Sequence, residues 1–428
     1  MNWIYQIPAL IILLFWVWKL NRYALTTTIY KYFWPSLFFK IISGLSIGAL
    51  YYYYYQQGDT IAYFSDAVYL RSFASSYPIE YLKYIFFNEI HSDFGNYLLY
   101  SDFAPRAVFF AKIVSIVNLL CFDNYWLTSL FFSLFSFTSL FLLCNILINV
   151  YKKLYFPAIV SLLFLPGFVF WSSGILKESV VIGCIALILF FTFKWIFIDK
   201  KPRILNLVLM LVSILLLWKL KYYFAAILIP ALFAATLPEF LANKFPYLRK
   251  YTIGIWALIM VFFILFATLS NEALHFEILP EIIYSSYSEY AKNSEPGTYI
   301  IYEKLDNTYL SILLSIPKAL VAGWFRPWLG ESQSLFQFLS TIENFALSIL
   351  FIFSLKNIPE LLKTKNMFVY SAIIFCVITS VLVALSVPNF GSLVRFRTGW
   401  LFIFALLILY NNPLLEKVGI FIKKHQHG

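Results

Sequence analysis

Asp59 and Asp66 lie in the run GDTIAYFSDA, directly after an apolar stretch that closes on five tyrosines, Tyr51 to Tyr55. Asp59, Tyr63 and Asp66 follow i, i+4, i+7 spacing, so a helix here puts all three on one face. Two carboxylates on one face at a membrane surface can take a proton, orient a polar substrate or hold a metal. A solvated helix just past a span would carry the same acids without any chemistry. In WSSGILKE, Lys177 and Glu178 follow a short turn between apolar runs. Ionisable groups in that position are costly unless they are paired or functional. In GWFRPWLGES, Arg326 stands between Trp324 and Trp328 with Glu331 close behind. An arginine fork fits phosphate and indole faces stack on sugars, while the same residues also suit an interfacial anchor. Arg395 and Arg397 flank Phe396 at the start of the last apolar run. Helical residues two apart point apart, so one arginine is expected inside and the other at the head groups. Glu343, in TIENFA, is the most deeply embedded acid, and either one of these arginines or local helix packing accounts for it.

The elements that must carry these groups are set by composition. The chain has 428 residues, 61% hydrophobic and 12% charged, against about 25% charged in soluble domains. Apolar runs of span length recur from end to end, which predicts an all-α polytopic membrane protein of one transmembrane domain, 1–428. Spans are expected near 3–18, 36–55, 125–150, 155–172, 175–198, 204–219, 222–238, 252–270, 334–355, 367–387 and 397–412, about 11 in all. Basic residues follow the first apolar run instead of preceding it, which favours a retained span with its N-terminus outside. Residues 56–124 and 271–333 are then the two long outer segments. The segment 105–121 holds Arg106 and Lys112 and is expected to lie in the outer interface, because a crossing there would export Lys152 and Lys153.

On this topology roughly 19 of the 32 Lys/Arg, but only about 4 of the 21 acids, fall on the inner side. The inner groups include Lys31, Lys40, Lys200, Lys201, Lys417, Lys423 and Lys424, while Asp93, Asp102 and Glu272 are outer. The net charge of +11 therefore belongs to inner loops and anionic head groups, not to nucleic acid. The four cysteines all lie in apolar runs, so neither a disulfide framework nor a cysteine metal cluster is indicated. No HExxH, phosphate loop or GxSxG turn is present, and no histidine lies centrally in a span. A divalent metal ion is the one cofactor that paired acids would admit.

The order of an outer acidic segment, a proline-led interfacial helix, a basic inner turn, FVFWSSGILKES and a terminal RFR span resembles the GT-C glycosyltransferases. It is most similar to the family-39-like and mannosyltransferase-like membrane proteins of bacterial surface-polysaccharide pathways. The resemblance covers about residues 50 to 410, through motifs that are short. It implies sugar transfer from a polyprenyl-phosphate donor to a glycan or lipid-linked acceptor at the extracytoplasmic face of a bacterial inner membrane. It also implies a catalytic acid in the first outer loop, Asp59 or Asp66, and a basic residue near the last outer loop, Arg395 or Arg397, on the donor phosphate. The chemistry needs a carboxylate to take the acceptor proton and cations to steady the departing phosphate. Asp59 is the preferred base, because it lies nearest the end of the preceding span and Gly58 lets the backbone turn there. A Wzy-like polysaccharide polymerase and a transporter or flippase are the alternatives.

Overall fold

The computed structural model describes residues 3–89, 97–99, 104–199, 203–270 and 275–415. Asp93, Asp102, Glu272, Lys200, Lys201, Lys417, Lys423 and Lys424 lie outside the described residues. Within them the regular structure is helical, joined by loops, with an isolated β-bridge between Tyr299 and Asn389. It divides into two compact units, Met1–Tyr222 and Tyr223–Gly428.

The first unit is assembled on a 26-residue helix, α6 (Tyr125–Val150). It is preceded by α1 (Ile7–Ala24), α2 (Phe33–Ala49), α3 (Asp59–Ser76), α4 (Pro78–Phe87) and α5 (Pro105–Cys121). After it come α7 (Tyr155–Ile159), α8 (Pro166–Trp171) and α9 (Lys177–Phe197). Asn124 caps α6, accepting the Leu127 N–H at 3.0 Å. One side of α6 carries buried serines at 129, 133, 136 and 139, each a turn or so apart. Small residues let neighbouring backbones approach where lipid offers no hydrophobic drive between helices. Gly44 of α2 uses that side: a Cβ there would stand 2.2 Å from Ser133 Oγ. Phe33 and Gly48 mark the register of α2 on α6, Phe33 against Phe137 and Phe141, Gly48 against Tyr125 and Trp126. α3 lies over the Tyr125 end, with Thr60 hydrogen-bonded to Tyr125 at 2.7 Å and Tyr63 edge-on to Phe110 of α5.

The second unit holds α11 (Thr252–Ser270), α12 (Leu279–Lys292), α13 (Tyr309–Phe325), α14 (Leu335–Ser354), α15 (Ile358–Lys363), α16 (Met367–Ser386) and α17 (Phe390–Leu409). α10 (Ile204–Lys244) carries the chain from one unit into the next, and its helical dihedrals break at Lys221, with φ −146° and ψ 75°. In the second unit Trp324 and Phe325 of α13 close an aromatic cluster with Phe351 of α14 and Phe404 of α17.

Among the described residues nine helices are long and apolar enough to cross a membrane. They include all the expected spans except one, with 204–219 and 222–238 counted together in α10. The exception is 155–172, which does not form one continuous helix. That stretch is two short helices, five and six residues long, separated by a π-turn over 160–164 and an extended Leu165. Its end packs against the middle of α2 and α6: Lys40 donates to Ser172 Oγ at 2.6 Å and the Gly174 N–H donates to Ser133 Oγ at 2.9 Å. Pro166 lacks a backbone N–H and holds the residue before it extended, which explains the break. The segment over 105–121 forms a helix with those bounds, shorter than the nine helices long and apolar enough to cross.

Candidate functional site

In the first unit α3 begins where the chain leaves the tyrosine run. Tyr51–Tyr55 close α2 in a π-turn, Gln56 is left-handed at φ 57°, and Gly58 follows at φ 119°. A side chain at 58 would meet the Tyr51 ring at 2.7 Å, so glycine is required both for its dihedral and for space. Asp59 is the first residue of α3, where a carboxylate faces the exposed backbone N–H groups of the helix start. Tyr63 and Asp66 are buried on the same face, at 1% and 2% exposure, and Asp59 is half-buried.

Lys177 joins this face from the other motif. Its Nζ lies 5.2 Å from the centre of the Tyr63 ring, the residue between the two acids. Lys177 is the first residue of α9 and remains half-buried. Glu178 beside it turns the other way and is 1% exposed, accepting from Lys221 Nζ at 2.7 Å. Desolvating one such charge alone would cost several kcal/mol, so the pair holds together and anchors the start of α9. Glu178 thus positions Lys177 through the helix start.

Asp66 faces a third group. Its Oδ1 accepts the Leu99 N–H at 2.9 Å, and its Oδ2 is buried without a hydrogen-bond partner among the described residues. Burial raises its carboxyl from the ordinary 3.8 to about 6, with the Leu99 hydrogen bond acting against the rise. Tyr84 nearby is pushed up to about 12, chiefly by burial and then by the Asp66 charge. Lys112 lies against the Tyr84 ring at 3.7 Å, donates to the Tyr84 carbonyl at 2.6 Å and also bonds Asn88. Burial lowers its amine to about 8. Lys112 was visible in sequence only as a charge inside an apolar stretch; its partners come from α4.

Lys40 is corrected outright. Counted by sequence with the inner loop charges, it is 2% exposed within α2 and bonded to Ser172. The signal was a lysine inside the apolar run LFFKIISG, a position that calls for a partner.

The second unit holds the three arginines. Arg326 follows α13, and its Nε lies 3.0 and 3.1 Å from the two carboxylate oxygens of Glu331. Glu331 also accepts the Trp328 N–H at 2.8 Å. The Arg326 guanidinium, expected to be available to phosphate, is shared with this acid and stacks on Phe390 at 5.0 Å. Arg395 and Arg397 lie inside α17, which starts at Phe390, several residues before the expected boundary. Both are buried, at 8% and 1% exposure, so the expectation that one reaches the head groups is corrected. The second unit surrounds this part of α17, and residues pointing apart both meet protein. Arg397 bonds Asn344 and the Arg326 carbonyl, while Asn344 Nδ2 donates to the Pro327 carbonyl at 3.1 Å. Arg397 thereby ties the FRPW turn to α14 and α17. Glu343 lies within electrostatic reach of Arg397.

No group of three or more histidine, cysteine, aspartate or glutamate side chains that could hold a metal occurs among the described residues. What the first unit gathers is a half-buried carboxylate, a tyrosine and a lysine, which can together accept a proton and meet an anion. No protein-family model, curated protein or solved structure matches this chain.

Proposed function

We propose that this chain is a membrane-embedded glycosyltransferase of the GT-C kind, moving a sugar from a polyprenyl-phosphate donor to a glycan or lipid-linked acceptor at the extracytoplasmic face. The observation that supports it is Lys177 over Tyr63, which brings the WSSGILKE turn to the Asp59–Asp66 face. Two motifs far apart in the chain meet with the charges that phosphate-leaving sugar transfer needs. Asp59 is the base. It is half-buried at the helix start and can be reached, whereas Asp66 is covered and pinned to Leu99.

In the reaction the acceptor hydroxyl oxygen attacks the anomeric carbon of the donor sugar. The hydroxyl proton passes to the Asp59 carboxylate as the bond from the anomeric carbon to the phosphate oxygen breaks. The electron pair leaves on the lipid phosphate, and the Lys177 ammonium meets the charge that builds there. Asp66 and Lys112 shape the floor of the site, and the Glu178–Lys221 pair holds α9 so that Lys177 stays aimed.

The test is sugar transfer from a polyprenyl-phosphate donor by purified protein. Asp59→Asn keeps the shape and removes the proton acceptor, so activity should fall by about 10²–10⁴-fold with donor binding kept. Full activity in both Asp59→Asn and Asp66→Asn would remove this mechanism and favour a polymerase or transport role.

A further inference from the structure

The second unit carries a cavity of about 430 Å³ that the transfer chemistry above does not use. Small-ligand sites run from about 300 to 1,000 Å³. Its walls include Tyr299, Lys318, Arg326, Glu331, Ser332 and Gln333. We propose that this cavity binds a sugar bearing one acidic group.

Charge argues for the acid. Arg326 and Glu331 neutralise each other at hydrogen-bond distance, and Lys318 is exposed with no acidic partner among the described residues. No second carboxylate lines the cavity, so it presents one net positive charge. The rest of the lining argues for a hydroxylated ring. The Arg326–Glu331 pair offers donor and acceptor edges side by side, Ser332 and Gln333 add a hydroxyl and an amide, and Tyr299 gives a ring face. A bare anion would use the lysine and leave those groups idle.

The site is also held in shape before any ligand arrives. The Ile300 N–H donates to the Pro388 carbonyl at 3.0 Å and the Phe390 N–H to the Thr298 carbonyl at 2.9 Å, fixing Tyr299 between them. Arg326 is stacked on Phe390 on one side and held by Glu331 on the other. Side chains locked by their neighbours lose little entropy on binding. The inference goes beyond the transfer reading and does not depend on it.

Binding is read without turnover, on full-length protein in phosphatidylcholine nanodiscs titrated with glucuronate, glucose and inorganic phosphate by saturation-transfer NMR. Glucuronate should bind about tenfold more tightly than glucose or phosphate, the order expected of one charge-assisted hydrogen bond. Lys318→Gln should bring glucuronate to the level of glucose. Gly330→Leu should abolish binding by filling the cavity, and it is expected to fold because a side chain at 330 starts in open space. Equal affinity for glucose and glucuronate, or unchanged binding in Gly330→Leu, would overturn the proposal. Phosphate binding as tightly as glucuronate would reduce the cavity to an anion site and overturn the sugar. Loss of glucuronate binding in phosphatidylglycerol discs would assign the cavity to a lipid head group and overturn it too. Because Asp59→Asn is assayed by transfer and this site by binding, failure of one is distinguishable from failure of the other.

Discussion

Asp59 and Asp66 sit two turns apart on one face of α3, yet their surroundings give them different work. Asp59 starts the helix and stays half-open, while Asp66 is covered and holds Leu99. Its raised carboxyl has a consequence for stability. The folded protein binds the Asp66 proton more tightly than the unfolded chain, so the contribution is fully present below 3.8 and is lost as pH rises through about 6. Asp66→Asn keeps an acceptor for the Leu99 N–H and has no charge to bury. The variant should therefore gain in melting temperature over the parent as pH climbs from 4 to 7, then hold that gain. A melting difference that stays flat across the range would mean that Asp66 is solvated in the folded protein. At Lys177, replacement by alanine removes the cation over the Tyr63 ring. Donor binding should weaken about tenfold or more, as for a partly desolvated charge-assisted bond, and unchanged donor affinity would place the phosphate elsewhere.

At the scale of helices, the Glu178–Lys221 pair joins the start of α9 to the break in α10. Lys221→Met takes the ion-pair partner from a buried carboxylate, and removing one partner of such a pair costs about 3–5 kcal/mol. Combining it with Glu178→Gln should recover much of that loss, which thermal unfolding of the single and double variants will read. An equal loss in the double variant would show that packing, not charge, holds the α9 start. A second element test concerns α9 against α6. A Cβ at Gly183 would stand 2.3 Å from the Phe135 ring. Gly183→Val should destabilise by about 1–3 kcal/mol through overpacking, despite the better membrane-helix character of valine.

For the whole molecule, the charge distribution predicts that residue 57 faces outside and residues 203 and 250 inside. The four native cysteines are buried, so single cysteines introduced at these positions can be labelled over a low background. A membrane-impermeant thiol reagent added to intact cells should modify position 57 alone. Labelling of 203 or 250 from outside would invert the orientation.

Helix content, the bounds of most apolar helices and the shared face of Asp59, Tyr63 and Asp66 were legible from sequence. Each rests on local periodicity, hydropathy or backbone chemistry, which neighbouring residues dictate by themselves. The glycine before Asp59 belongs here too, since its positive φ follows from the turn it must make. Other features arose only from packing. The 155–172 stretch has the composition of a span, but Pro166 breaks it into two short helices, and its end meets Lys40 of α2 through Ser172. Both Arg395 and Arg397 became interior because the second unit packs around α17 on more than one side. Lys177 found Tyr63, and Glu178 found Lys221, across long sequence separations. A buried charge announces in sequence that it needs a partner, because an unpaired charge is costly there. Which partner it takes depends on which helices lie side by side, and that is a property of the folded chain.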